Sequence, residues 1–149
     1  MNSANYVPVE ILIVEDNPQD AELTIRALQK TNLANHIFVA EDGEIAMDFI
    51  FSKGKFVDRK NQKQPKVIFL DLKLPKISGL EILKAVKSDP FTRRIPVVVI
   101  TSSREDPDIR DAYEFGANGY VVKPVEFESF SNSIMRTGIF WLTVNESPK

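Results

Sequence analysis

The run Val67–Leu70 (VIFL) is four apolar residues without a polar interruption, and it ends in a carboxylate, Asp71. A strand with one wet face alternates apolar and polar residues, so an unbroken run of this kind reads as a strand covered on both faces. Four further segments have strand character: Val9–Val14 (VEILIV), His36–Ala40 (HIFVA), Pro96–Ile100 (PVVVI) and Gly119–Val122 (GYVV). Helical patterns fill the spaces between and after them. Asn17-Pro18 opens the first, with Asn as N-cap and Pro at the first helical position, and Ala21, Ile25 and Leu28 recur along it. Gly43–Phe51 is the second, and Ser78–Lys87 the third, with Ser78 as its cap and Glu81 three residues on. Asp106-Pro107 begins a fourth that Gly116 ends, and Glu126–Val144 is a long fifth. Five strands alternating with five helices predict an α/β fold: a doubly wound five-stranded parallel sheet with right-handed crossovers. The strand order expected for five such units is 2-1-3-4-5, a flavodoxin-like arrangement. Residues 9–144 are assigned to this domain, 1–8 to a flexible N-terminus and 145–149 to a C-terminal tail.

Composition narrows the function. A chain of 149 residues, 43% hydrophobic and 27% charged, has the make-up of one folded globular domain. It has no cysteine, which removes disulfides, thiol catalysis and thiolate zinc sites together. No apolar run approaches the roughly 20 residues of a membrane span, and Met1–Pro8 lacks the pattern of an export signal, so no membrane association and a cytoplasmic location are expected. A net charge of −2 and a pI near 5.5 argue against a nucleic-acid partner.

In an open parallel sheet, ligands sit beyond the carboxyl ends of the strands, at the switch point between strands 1 and 3. Here strand 1 ends in Glu15-Asp16, strand 3 in Asp71, strand 4 in Thr101, and strand 5 in Lys123-Pro124. Three carboxylates, a hydroxyl and an ammonium therefore meet on one rim from four distant parts of the sequence. Clustered carboxylates titrate upward unless a cation holds them charged. With oxygen donors and neither His nor Cys nearby, the ion expected is Mg²⁺, which leaves room for a phosphate oxygen. Lys123 suits a point charge on a phosphoryl group, and Thr101 can donate one hydrogen bond to it. The set describes an aspartyl-phosphate site with Asp71 as nucleophile. Strand 2 ends in a further acidic pair, Glu41-Asp42, which lies at the sheet edge and reads as a solvated turn and helix start.

These residues fall in four motifs: VEDNPQD (Val14–Asp20), FLDLKLPKISG (Phe69–Gly79), ITSS (Ile100–Ser103) and GYVVKP (Gly119–Pro124). Over nearly its whole length the chain resembles the receiver domain of two-component response regulators, the CheY-like family. The resemblance implies an acidic pair at Glu15 and Asp16, phosphoacceptor Asp71, switch hydroxyl Thr101, switch aromatic Tyr120 and phosphate-binding Lys123. It implies Asp16, Asp71 and the backbone carbonyl of Lys73 as metal ligands, with Glu15, where Asp is often found, reaching the ion through water. Small Ser102 leaves room for the phosphoryl group, Lys73 and Ser103 flank the site, and the Lys123–Pro124 bond is implied to be cis. The NPQD helix start, the long polar segment Ser52–Pro65 and the aromatic pair Phe140-Trp141 resemble the small response regulators that serve cyanobacterial phytochromes. The implied function is a single-domain response regulator of a phosphorelay. A sensor histidine kinase, phytochrome-type on this resemblance, phosphorylates it, and its output is an altered protein contact or a homodimer.

Other readings stand beside this one. A phosphatase of the haloacid-dehalogenase type also uses a strand-end Asp, Lys and Mg²⁺, but it needs a second Asp where this chain has Lys73. Nucleotide binding lacks both G-x-G-x-x-G and G-x-x-x-x-G-K-[ST], and an unphosphorylated scaffold would not need the acid–Thr–Lys set. The segment Ser52–Pro65 with flanking Lys66 carries Lys53, Lys55, Arg59, Lys60, Lys63 and Lys66 against one Asp, and reads as a solvated loop before it reads as a docking site. His36, the single histidine, reads as a polar residue at a strand start. Phe127, Phe130, Ile134 and Trp141 recur as a core stripe, whereas Met135, Phe140 and Leu142 exceed one stripe and point to a partner surface.

Overall fold

A computed structural model describes residues 9–31, 36–60, 62–123 and 127–146. The N-terminus 1–8, residues 147–149 of the tail, the Lys123–Pro124 bond and the Phe127 side chain lie outside the described residues. Five strands, β1 (Ile11–Val14), β2 (Ile37–Ala40), β3 (Val67–Leu70), β4 (Val97–Thr101) and β5 (Gly119–Val122), form one parallel sheet in the order β2-β1-β3-β4-β5. The helices are α1 (Pro18–Gln29), α2 (Gly43–Ile50), α3 (Gly79–Ser88), α4 (Asp106–Glu114) and α5 (Phe127–Ile139).

Period-two burial explains why the strand runs carry no polar break. Leu12, Val14, Ile68, Leu70, Val97 and Val99 pack on one face with Ala46, Phe49 and Ile50 of α2, Ile82, Leu83 and Val86 of α3, and Ala112 of α4. Their neighbours Ile11, Ile13, Val67, Phe69, Val98 and Ile100 pack on the other face with Ala27 and Leu28 of α1 and Phe130 and Ile134 of α5. Each such side chain contributes about 1.5–3 kcal/mol, so both faces have to be apolar wherever helices cover both.

The strand limits shift for stated reasons. Glu10 already bonds to both neighbours, its N–H to the His36 carbonyl and its carbonyl to the Lys66 N–H, but paired register starts only at Ile11. Pro96 has no N–H to give; its carbonyl accepts from Ile68, and β4 instead runs on through Thr101. Asn17 caps α1 as expected, its Oδ1 accepting from the Gln19 and Asp20 amides at 2.9 and 3.1 Å. Asp42 does the same for α2 through Ile45, at 2.8 Å.

Two expectations are corrected. The segment after α2 is not a plain solvated loop: Gly54–Arg59 forms a 3-10 helix. Phe56 stands edge-on to Phe38 and Phe49, at 5.5 and 5.3 Å between centroids, and the Arg59 guanidinium stacks 3.5 Å from the Phe49 ring centre. Its five lysines do face solvent. The fifth helix is α-helical only to Ile139 and continues as one π-helical turn, Phe140–Val144, closed by the Asn145 N–H on the Phe140 carbonyl at 2.8 Å. Met135, Trp141 and Leu142 pack against the chain's own core, which leaves Ile139, Phe140 and Val144 as the exposed apolar residues of this end.

Candidate functional site

Register builds the site. Val14 lies beside Leu70, so the next residues, Glu15 and Asp71, emerge together at the sheet's carboxyl edge, with the Asp71 N–H on the Val14 carbonyl at 3.0 Å. Thr101 lies beside Val122, so Lys123 emerges next to it, its N–H on the Thr101 carbonyl at 2.7 Å.

The ammonium of Lys123 is the hub. It donates to Glu15 Oε1 at 2.5 Å, to Asp20 Oδ2 at 2.9 Å and to Asp71 Oδ2 at 2.9 Å. Glu15 and Asp71 are buried, and their side chains are 6% and 10% exposed. The second oxygen of Glu15 accepts from the Asn17 amide at 3.2 Å, and Asp71 Oδ1 accepts from the Lys73 amide at 3.3 Å. Asp16 is exposed, yet Glu15, Asp16 and Asp71 each bring a carboxylate oxygen to within 4.8 Å of the others.

Electrostatics show the site to be short of positive charge. Burial pushes the Glu15 carboxyl up to about 7, and the Asp71 charge adds to this, although the Lys123 and Asn17 hydrogen bonds pull the other way. Burial works against the Lys123 ammonium too, but hydrogen bonds to Glu15, Asp20 and Asp71 outweigh it and hold the group above the usual lysine range. Three carboxylates thus share one ammonium, and Asp16 adds a fourth negative charge beside them. An oxygen-only donor set with excess negative charge fits a hard divalent cation, and the residues present suit one.

Beside this cluster, Thr101 is fully buried and Ser102 exposed. The Thr101 hydroxyl accepts from the Ser103 amide at 3.5 Å, and the Tyr120 hydroxyl donates to the Ser103 carbonyl at 3.0 Å. Both bonds run to the loop between β4 and α4, not to the carboxylates. Burial raises the Tyr120 hydroxyl, while its bond to Ser103 partly offsets this. The buried Ser103 hydroxyl donates to Asp108 Oδ2 at 2.5 Å, fastening that loop to α4.

The sequence reading missed Asp20, and it placed Ser103 beside the site without its hydrogen bonds. Asp20 reaches Lys123 because the Asn17 cap and Pro18 fix the first turn of α1, which places its third residue over the strand ends. The cap signal could have shown this. Ser103 as a hydrogen-bond hub had no such signal, since its partners Asp108 and Tyr120 are set by tertiary contacts.

The family profile described as response regulator receiver domain matches residues 11–135. Among curated relatives, the probable methanogenesis regulatory protein FilR2 of Methanothrix harundinacea is 36% identical over 95% of this chain and 88% of its own length. Response regulator Rcp1 of Synechocystis is 33% identical over 95% of both chains. Its Mn²⁺-bound crystal structure superposes with a TM-score of 0.86, at 33% identity over 95% of this chain and all of that one. The phosphorylated cyanobacterial phytochrome response regulator RcpA gives 0.88 at 33% identity, over 96% of this chain and all of its own. The bacteriophytochrome response regulator AtBRR gives 0.75 at 45% identity, over 97% of this chain and 99% of its own.

Proposed function

The chain belongs to the response regulator receiver family of two-component signalling, and from that premise we propose that a sensor histidine kinase phosphorylates it on Asp71. The observation that carries the assignment is a buried carboxylate at the end of β3 with a lysine ammonium 2.9 Å from one oxygen. An Asp71 oxygen attacks the phosphorus of the kinase phosphohistidine. The P–N bond breaks with its electron pair going to the imidazole, and a P–O bond forms to give an acyl phosphate. Lys123 is already held at that oxygen and neutralises charge on the phosphoryl group as it arrives. Asp16, Asp71 and the Lys73 carbonyl would hold Mg²⁺ directly and Glu15 through water, in keeping with the acidic cluster and with the Mn²⁺-bound form of Rcp1. That ion supplies charge neutralisation and orientation for the phosphoryl oxygens.

In this reading Thr101, whose hydroxyl proton its bond from the Ser103 amide leaves available, donates to the incoming group, the small Ser102 leaves that group room, and Tyr120, bonded to the Ser103 carbonyl, follows Thr101. The chemistry is the protein's own phosphorylation and dephosphorylation, and the output is a changed protein contact. RcpA and AtBRR are named for phytochromes, which supports a phytochrome-type kinase as donor; a cytoplasmic setting is part of the same proposal. Among the described residues no helix is long and apolar enough to cross a membrane. We also propose a homodimer through the face of α4, β5 and α5.

The test is phosphorylation by acetyl phosphate. The protein is expected to take up one base-labile phosphoryl group, with Mg²⁺ required, and Asp71→Asn none. Undiminished labelling of Asp71→Asn overturns the assignment.

A further inference from the structure

The loop Leu72–Ser78 carries the Lys73 carbonyl assigned above to the metal. Its internal bonds are short-range: the Lys73 amide on Asp71 Oδ1 at 3.3 Å, the Ile77 amide on the Pro75 carbonyl and the Gly79 amide on the Leu72 carbonyl, both at 2.9 Å. The start of α2 fixes it from outside. The Gly43 N–H donates to the Pro75 carbonyl at 3.3 Å, and Asp42 Oδ2 lies 3.3 Å from the Lys76 ammonium. The contact at Gly43 is close: a Cβ there would lie 2.1 Å from the Ile77 carbonyl oxygen, so any side chain drives loop and helix apart.

Two details mark this contact as more than surface packing. Asp42 is held on its helix by the Ile45 amide at 2.8 Å, with its side chain only 14% exposed, so it presents a fixed charge. That amide, with help from Lys76, keeps its carboxyl below the usual aspartate range. Lys76 itself has φ 71°, a left-handed conformation that costs a residue with a Cβ. Such a residue persists where its surroundings over-determine it, and it clusters at functional sites. Here the backbone is turned so that Lys76 reaches Asp42, three residues beyond Lys73.

We infer that Asp42, Gly43 and Lys76 are positioning residues: the start of α2 is a socket that sets where the Lys73 peptide sits, and through it the cation affinity of the acidic site. This rests on the metal site proposed above. Partners bonded directly to a metal's ligands orient them, and their loss typically costs at least tenfold in affinity; Asp42, Gly43 and Lys76 act one link further out, through the Pro75 carbonyl and the loop backbone, so a smaller loss is expected. Lys76 separates positioning from simple support, because Lys76→Gly removes the ion pair and relieves the strain, glycine adopting this φ freely. A supporting residue would show its loss in stability; a positioning residue shows it in cation binding.

The experiment is calorimetric titration with Mg²⁺ alongside thermal unfolding in metal-free buffer, for wild type, Lys76→Gly, Lys76→Arg and Asp42→Asn, which keeps the cap oxygen. Lys76→Gly is expected to unfold at the wild-type temperature or higher, yet to bind Mg²⁺ about fivefold more weakly, less than the loss of a partner bonded directly to a ligand. Asp42→Asn is expected to weaken binding likewise, and Lys76→Arg to match wild type. Lys76→Gly binding within twofold of wild type overturns the socket, as does Lys76→Arg binding as weakly as Lys76→Gly. A wild type that binds no Mg²⁺ overturns the metal site itself, which the wild-type titration reveals before any variant is compared.

Discussion

Lys123 is the residue on which the rim depends, because it answers three carboxylates, two of them buried, that would otherwise face one another. Removing one partner of a buried ion pair strands the rest, and the cost exceeds what the pair gains relative to apolar residues. Lys123→Met is expected to lower stability by about 2 kcal/mol in metal-free buffer; the usual cost of a broken buried pair is reduced here because Asp20 is partly solvated and Glu15 can take up a proton. Urea unfolding checks this, and millimolar Mg²⁺ is expected to narrow the gap by supplying the missing charge. A variant as stable as wild type without metal would show that solvent already screens the cluster. At this scale the sequence was informative wherever a strand end fixed a position, as for Glu15, Asp71, Thr101 and Lys123. It failed where a residue enters from another element, as Asp20 does from α1 and Asp108 from α4.

Elements were legible to the extent that burial patterned them. Every expected strand and helix is present, because unbroken apolar runs and capped amphipathic stretches leave few alternatives. The segment after α2 was misread since six cations dominate its composition, whereas its conformation is set by two residues that turn inward, Phe56 and Arg59. Charge reports the solvated side of a segment and says little about what anchors its other side. Phe56→Ala is expected to cost about 2 kcal/mol, less than a fully buried phenylalanine because Phe56 is only half-buried. Lys55→Ala and Lys60→Ala, at exposed positions, are expected to stay within about 0.5 kcal/mol of wild type. Chemical denaturation of the three variants separates an anchored element from a free loop: equal, small effects would return the segment to a plain solvated loop.

Over the whole molecule, the strand order leaves β5, which carries Tyr120, at one edge of the sheet, with Thr101 of β4 paired to its last residue. On this side the apolar surface is not fully used. A groove of about 290 Å³ runs between β5 and the end of α5, lined by Val98, Gly119, Val121, Arg136, Thr137, Phe140 and Trp141. Phe140, in its wall, is 44% exposed, Val144 further along the same end is 62% exposed, and Tyr113 of α4 is 53% exposed. Trp141 packs against the chain's own core, so Phe140 is the better anchor for the proposed homodimer. A symmetric pair needs the same patch on each copy and about 800 Å² per partner. A phosphoryl group that shifts Thr101 and Tyr120 acts on that face through strands already bonded to it, so phosphorylation is expected to tighten the pair. Sedimentation of wild type and Phe140→Glu, each with and without beryllium fluoride as phosphoryl mimic, tests this. Wild type is expected to dimerise more strongly with the mimic, and Phe140→Glu to stay monomeric in both states, because its carboxylate would be buried unpaired at the contact. A wild type that remains monomeric at tens of micromolar with and without the mimic rules the dimer out and leaves the groove to a different protein.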